Sequence, residues 1–170
     1  MTTTPGERFR HHAEEYSEDA DDERPLGAYS VLLVAYISVV TALVVLGRKR
    51  LPGTLAPSDL ALGAVATFIG TRTITKHPIA SPIRMPFTKF AGVSGPSELA
   101  EDVRASGWRH AIGELLTCPF CLSQWMATTL VTGVVVAPRL TRTVMSVLAI
   151  VGASDFLQLA YARAQDLASD

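Results

Sequence analysis

GAYSVLLVAYISVVTALVVL, residues 27–46, runs for twenty positions without a charged side chain. A helix needs about 20 apolar residues to cross the roughly 30 Å hydrocarbon core of a bilayer. The run meets that length, and Arg48-Lys49-Arg50 closes it with three cations. It reads as a transmembrane helix, which makes the chain an integral membrane protein. Its N-terminal flank is acidic, and the run is too long for the apolar region of a signal peptide.

Before it, residues 1–26 form a polar tail that carries Glu7, Glu14, Glu15, Glu18, Asp19, Asp21, Asp22 and Glu23 against three arginines. A segment with so little apolar surface cannot offset the entropy of ordering, so the tail is expected to be disordered. The whole chain has 170 residues, 48% of them hydrophobic and 18% charged, with a net charge of -1. No global basic field draws it to nucleic acid. Two cysteines are too few for the disulfide scaffold of a small secreted domain.

Beyond the first run, three weaker spans follow. Residues 58–76 contain LALGAVATFIGTRTIT, with Ser58 as N-cap and Asp59 in the first turn. Gly63, Ala64, Ala66 and Gly70 are residues of the size that lets membrane helices approach closely. Pro119 opens a third span, about 119–137, and a fourth runs over about 143–162 after the short PRLTR turn. Residues 77–117 form a polar interfacial connection with Pro78, Pro82 and Pro86 at four-residue spacing. Arg84, Phe87, Lys89 and Phe90 suit a segment lying on lipid headgroups. Ser97 with Glu98, Glu101 and Asp102 predicts a short helix ending at Ser106-Gly107, and RHAIGELL (109–116) predicts an amphipathic one. The expected fold is therefore all-α: a polytopic membrane domain over 27–165 with four transmembrane helices and an interfacial connection between the second and third. No internal repeat supports an inverted-repeat transporter.

Four crossings place both termini, the long connection and the ends of spans two and four at one face. Arg72, Lys76, Cys118, Cys121, Gln124, Asp155 and Gln158 then share that face. Ten of the basic residues lie there (Arg8, Arg10, Arg24, Arg72, Lys76, Arg84, Lys89, Arg104, Arg109, Arg163). Five lie opposite (Arg48, Lys49, Arg50, Arg139, Arg142). The positive-inside bias makes the termini and the long loop cytoplasmic in a multi-pass cell-membrane protein, although the compact Arg48-Lys49-Arg50 cluster pulls the other way.

Both cysteines stand in LLTCPFCLSQW, residues 115–125. Proline is favoured at the first helical position, so Pro119 puts Cys118 at the N-cap and Cys121 at N3. Helix-terminal N–H groups stabilise a thiolate at Cys118, and positions i and i+3 lie about 5–6 Å apart, within disulfide reach. Three readings follow: a redox dithiol, thiols packed at a helix contact, or half of a metal site completed by His77 and His110. No βαβ pattern surrounds the motif, so a thioredoxin fold is not its context. In span four, Asp155 costs about 3 kcal/mol on insertion scales and calls for a partner, for which Arg72 has the right depth. Ser154 and Gln158 complete its hydrogen bonding, and Trp125 and Tyr161 read as interfacial anchors. No GxSxG, P-loop, HExxH or aspartate dyad points to soluble enzymology or to a bound cofactor. The partners expected are the lipid bilayer and either a second copy or another membrane protein.

TRTITKHPIASPIRMPFTKF, GELLTCPFCLSQW, APRLTR and SDFLQLAYA together resemble the bacterial membrane family called domain of unknown function 1360. That group includes small sporulation-associated proteins of Gram-positive bacteria. The resemblance covers roughly residues 30–163. It implies that Arg72, Arg84, Pro86, Phe87, Cys118, Cys121, Trp125 and Asp155 match positions recurring in the family. It implies no activity.

Overall fold

A computed structural model of the chain describes residues 4–17, 25–49, 54–104 and 107–169. The tail expected to lack structure contains helix α1, Pro5–Ser17. The Thr4 amide donates to Glu7 Oε2 at 2.7 Å, and the Glu7 amide donates back to Thr4 Oγ1 at 3.3 Å. This is a capping box, with Pro5 at the first helical position. The acids at 18–23, Arg24, Arg50 and Ser106 lie outside the described residues.

Helices α2 (Leu26–Gly47), α3 (Pro57–Thr75), α6 (Pro119–Val136) and α7 (Pro138–Ser169) form the body. Three of them, α2, α6 and α7, are long and apolar enough to cross a membrane. No residue of α2 is buried, and Val31, Leu33, Val34 and Leu46 point outward. An apolar face of that extent suits lipid and not water.

The sequence reading placed the second of its four spans at 58–76. Helix α3 occupies that stretch but is not among the three helices long and apolar enough to span alone. It packs instead against both α6 and α7. Ala66, Ile69, Leu130, Val134 and Met145 form the buried apolar centre around it. Its polar side chains are reconciled with burial locally. Thr71 donates to the Thr67 carbonyl at 2.8 Å and Thr75 to the Thr71 carbonyl at 2.7 Å. Such bonds satisfy a hydroxyl within its own helix. The helix starts at Pro57, with Ala56 and not Ser58 in the cap position.

Neighbour pairs fix the directions. Asp59 meets Arg142 and Ile69 meets Gly152, so α3 and α7 run parallel. Tyr36 meets Thr128, and Gly47 and Val136 line the same groove, so α2 and α6 run together in the opposite sense. Ala137 alone joins α6 to α7, because α7 begins at Pro138, where a longer PRLTR turn was expected.

The departure from an all-α fold among the described residues is a β-hairpin. Strands β1 (Thr88–Gly95) and β2 (Glu98–Val103) pair antiparallel, where a helix from Ser97 was expected. Gly95-Pro96-Ser97-Glu98 has the pattern of a type II turn, with proline at the second position and φ of 59° at Ser97. A bulge follows Phe90, and at Gly92 φ is 150°, a value that glycine tolerates best. A 3₁₀ turn (Pro78–Ala80) and the single-turn α4 (Ser81–Arg84) connect α3 to the hairpin. Helix α5 (Trp108–Thr117) then leads into α6 through Cys118.

Candidate functional site

The start of α6, the end of α3, the hairpin and α5 meet at one end of the helix body. Arg84 organises that end. It was expected on a headgroup surface, but its side chain is 0% exposed and that of its partner Glu101 is 7% exposed. Arg84 Nε donates to Glu101 Oε2 at 3.0 Å and Nη2 to Glu101 Oε1 at 2.6 Å. Nη2 also reaches Ser81 Oγ at 3.3 Å, and Nη1 reaches the carbonyls of Ile74 and His77 at 2.6 and 3.1 Å. All five guanidinium donors are thereby used. Two of the acceptors are carbonyls at and just beyond the end of α3, that of Ile74 in the last turn and that of His77, which also accepts the Ala80 amide at 3.2 Å. Thr88 Oγ1 lies 2.6 Å from Glu101 Oε2 and 3.0 Å from the Arg84 carbonyl. Burial pushes the Glu101 carboxyl up, but hydrogen bonds from Arg84 and Thr88 and the Arg84 charge outweigh it. The net displacement is below the usual carboxylate value.

Arg72 does not pair with Asp155. Its Nε donates to Glu98 Oε1 at 2.8 Å, and Nη2 reaches the same oxygen. The guanidinium also lies 5.5 Å above the Phe68 ring, which stacks on Phe156 of α7 at 6.4 Å. Helix α7 thus turns Phe156 toward α3. Asp155 is about 100° away around the helix and faces outward. Gln158 donates to Ser154 at 3.2 Å on that exposed surface. Lys76 contributes through its backbone, whose carbonyl accepts the Leu99 amide at 2.9 Å.

Cys118 occupies the N-cap of α6, as its spacing from Pro119 predicts. Its Sγ accepts the Cys121 amide at 3.2 Å, and its own amide donates to the Glu114 carbonyl at 3.0 Å. Both thiols are free, Cys118 half-buried and Cys121 exposed. Close by are Glu114 and Tyr29, which the sequence reading did not single out. Glu114 accepts from the Tyr29 hydroxyl of α2 and lies 3.4 Å from His110 Nε2. Trp125 packs edge-on against Tyr36, with centroids 5.1 Å apart, and so holds α2 to α6. His77 is turned to another task, its Nδ1 accepting the Ile79 amide at 3.3 Å. Among the described residues, Cys118, Cys121, His77 and His110 are not gathered into one ligand set. The group whose ligand atoms do converge is His11, His12 and Glu15 on the exposed face of α1.

Residues 62–161 match the family described as protein of unknown function (DUF1360). The chain belongs to that family. The match takes in Arg72, Arg84, Cys118, Cys121, Trp125 and Asp155 and leaves α1 and α2 outside it. No curated protein and no solved structure matches the chain.

At the opposite end of the body lies an ion pair that sequence reasoning missed. Arg142 Nε and Nη2 grip Asp59 Oδ1 and Oδ2 at 2.8 and 2.7 Å, joining the N-terminal part of α7 to the first turn of α3. Asp59 had been assigned only to the dipole of its own helix. Nothing local announces a partner 83 residues away.

Proposed function

We propose that this member of the family is a four-span membrane protein whose extramembrane end carries a redox-responsive dithiol, Cys118 and Cys121. If α2, α6 and α7 cross the bilayer, α3 crosses with them, because it lies between α6 and α7 and parallel to α7. The membrane domain is then 27–165, with 77–117 as its rim, and the charge bias directs that rim and both termini to the cytoplasm. The observation that carries the dithiol reading is the Cys121 amide donating to Cys118 Sγ at a helix N-terminus. That contact holds the Cys118 sulfur over the first turn of α6, beside the residue that would resolve it. In the step envisaged, the Cys118 thiolate attacks a substrate disulfide and releases one substrate thiolate. Cys121 then loses its proton and attacks the Cys118 sulfur, releasing the second. The protein dithiol is oxidised by two electrons and the substrate disulfide is reduced by two. In membranes treated with oxidised glutathione, the peptide spanning 115–125 should acquire one internal disulfide, visible by mass spectrometry without reduction. Retention of both free thiols under those conditions would count against the dithiol.

A second reading is a non-catalytic scaffold that docks a membrane partner or lipid. It is favoured by the rigid Arg84–Glu101 clamp, which holds a rim studded with exposed Ile79, Met85, Phe90 and Val93. Wild-type behaviour of a Cys118→Ala/Cys121→Ala chain, together with failure of Phe90→Ser/Val93→Ser, would select it.

A further inference from the structure

Helices α2 and α6 touch at Tyr36, whose hydroxyl lies 2.9 Å from Thr128 Oγ1. From Tyr36 to Gly47 a groove of about 800 Å³ separates them. Val40, Val131 and Val135 are typical of its walls, and Lys49 at its outer end is the one charged lining residue. Within a bilayer such a gap is filled by something apolar. Eleven residues at 1.5 Å each give it a length of about 17 Å, close to half of the roughly 30 Å core. A further transmembrane helix would need twice that length. One acyl chain from one leaflet does not.

We propose that this groove binds one chain of an anionic phospholipid, with its phosphate on Lys49, in the leaflet next to the α6–α7 junction. Lys49 is exposed, and Arg48 beside it is exposed as well, so the outer end of the groove is cationic. A zwitterionic lipid would fill the walls equally well but leave that charge without a net counterpart. One lysine near an anionic headgroup should give about a fivefold preference. The inference rests on the bilayer reading and is independent of the dithiol.

Trp125 packs on Tyr36 at the inner end of the groove and serves as the reporter. A Trp108→Phe variant of the full chain, in mixed phosphatidylglycerol and phosphatidylcholine vesicles, leaves Trp125 as the one indole. Dibrominated oleoyl chains placed on phosphatidylglycerol should quench it about fivefold more effectively, per mole fraction, than the same chains on phosphatidylcholine. Lys49→Gln should equalise the two lipids without changing the helix content seen by circular dichroism. Val131→Phe, which fills the groove, should lower quenching by both. Equal quenching before any substitution, or a preference that survives Lys49→Gln, overturns the proposal. So does a Val44→Cys cross-link between copies, which would mean that a second chain holds the groove. No quenching by either lipid would sink the bilayer reading along with it.

Discussion

Arg84 shows how much one side chain at this rim is asked to do. It joins the end of α3, α4 and β2, and a lysine cannot reproduce its planar, five-donor fork. Breaking a buried pair by removing one partner costs about 3–5 kcal/mol, because the other charge stays behind. Arg84→Lys and Glu101→Gln should therefore each lower thermal stability, with the loss localised by faster proteolysis within 85–104. The double replacement Arg84→Met/Glu101→Leu should cost less than the sum of its parts, since no orphan charge remains. A pH dependence follows from the same pair. The folded Glu101 pKa lies below its unfolded value of about 4.3. Its contribution is therefore present above that value and lost as pH falls through the folded pKa. Acid titration of the hairpin, followed by proteolysis or amide exchange, should show this loss as pH falls below the unfolded value in the native chain and a flatter profile in Glu101→Gln. Composition and resemblance flagged Arg84, yet put it on the surface. An arginine's burial depends on who neutralises it, and Glu101 becomes available only once β2 has formed.

The elements divide by whether their cause is local. Helix α2 was legible because twenty uncharged residues admit few alternatives. The start of α6 was legible because Pro119 sets the register of its own first turn. A helix from Ser97 was the wrong reading of β2, since its acids looked like a helix first turn. Glu98 and Glu101 are held by Arg72 and Arg84 from another part of the chain. The α1 capping box was legible in Thr4-Pro5-Gly6-Glu7, but the acidic composition of the tail obscured it. Two substitutions test elements directly. Cys118→Ser keeps a capping oxygen and should preserve stability while abolishing the disulfide. Cys118→Ala loses the cap and should cost about 1 kcal/mol. Where α3 and α7 cross, a Cβ on Gly152 would sit 2.5 Å from Ile69 Cγ1. Ile69 is β-branched and 6% exposed, so it has little room to yield. Gly152→Ala should overpack that crossing by about 1–3 kcal/mol, read as a lower melting temperature in detergent.

At the scale of the whole molecule, the four-span proposal makes α2, α3, α6 and α7 alternate in direction and so brings the cysteines and the ionic clamp to the same side as both ends of the chain. Reporter fusions at the N-terminus and C-terminus should therefore give the same sidedness. A membrane-impermeant maleimide should label Cys121 only from that side. Opposite signals from the two fusions would mean that α3 does not cross. The length of α7 adds something that the helix count alone does not convey. Its 32 residues give a rod about 48 Å long, some 18 Å more than the hydrocarbon core accommodates. From Ala153 to Ser169 every residue is exposed. In the four-span proposal the last three turns extend past the hydrocarbon core as a mast, rooted by Arg142 at one end and by Phe156 higher up. A tug or twist applied at the tip is carried down the rod to the crossing with α3, far from where it was applied.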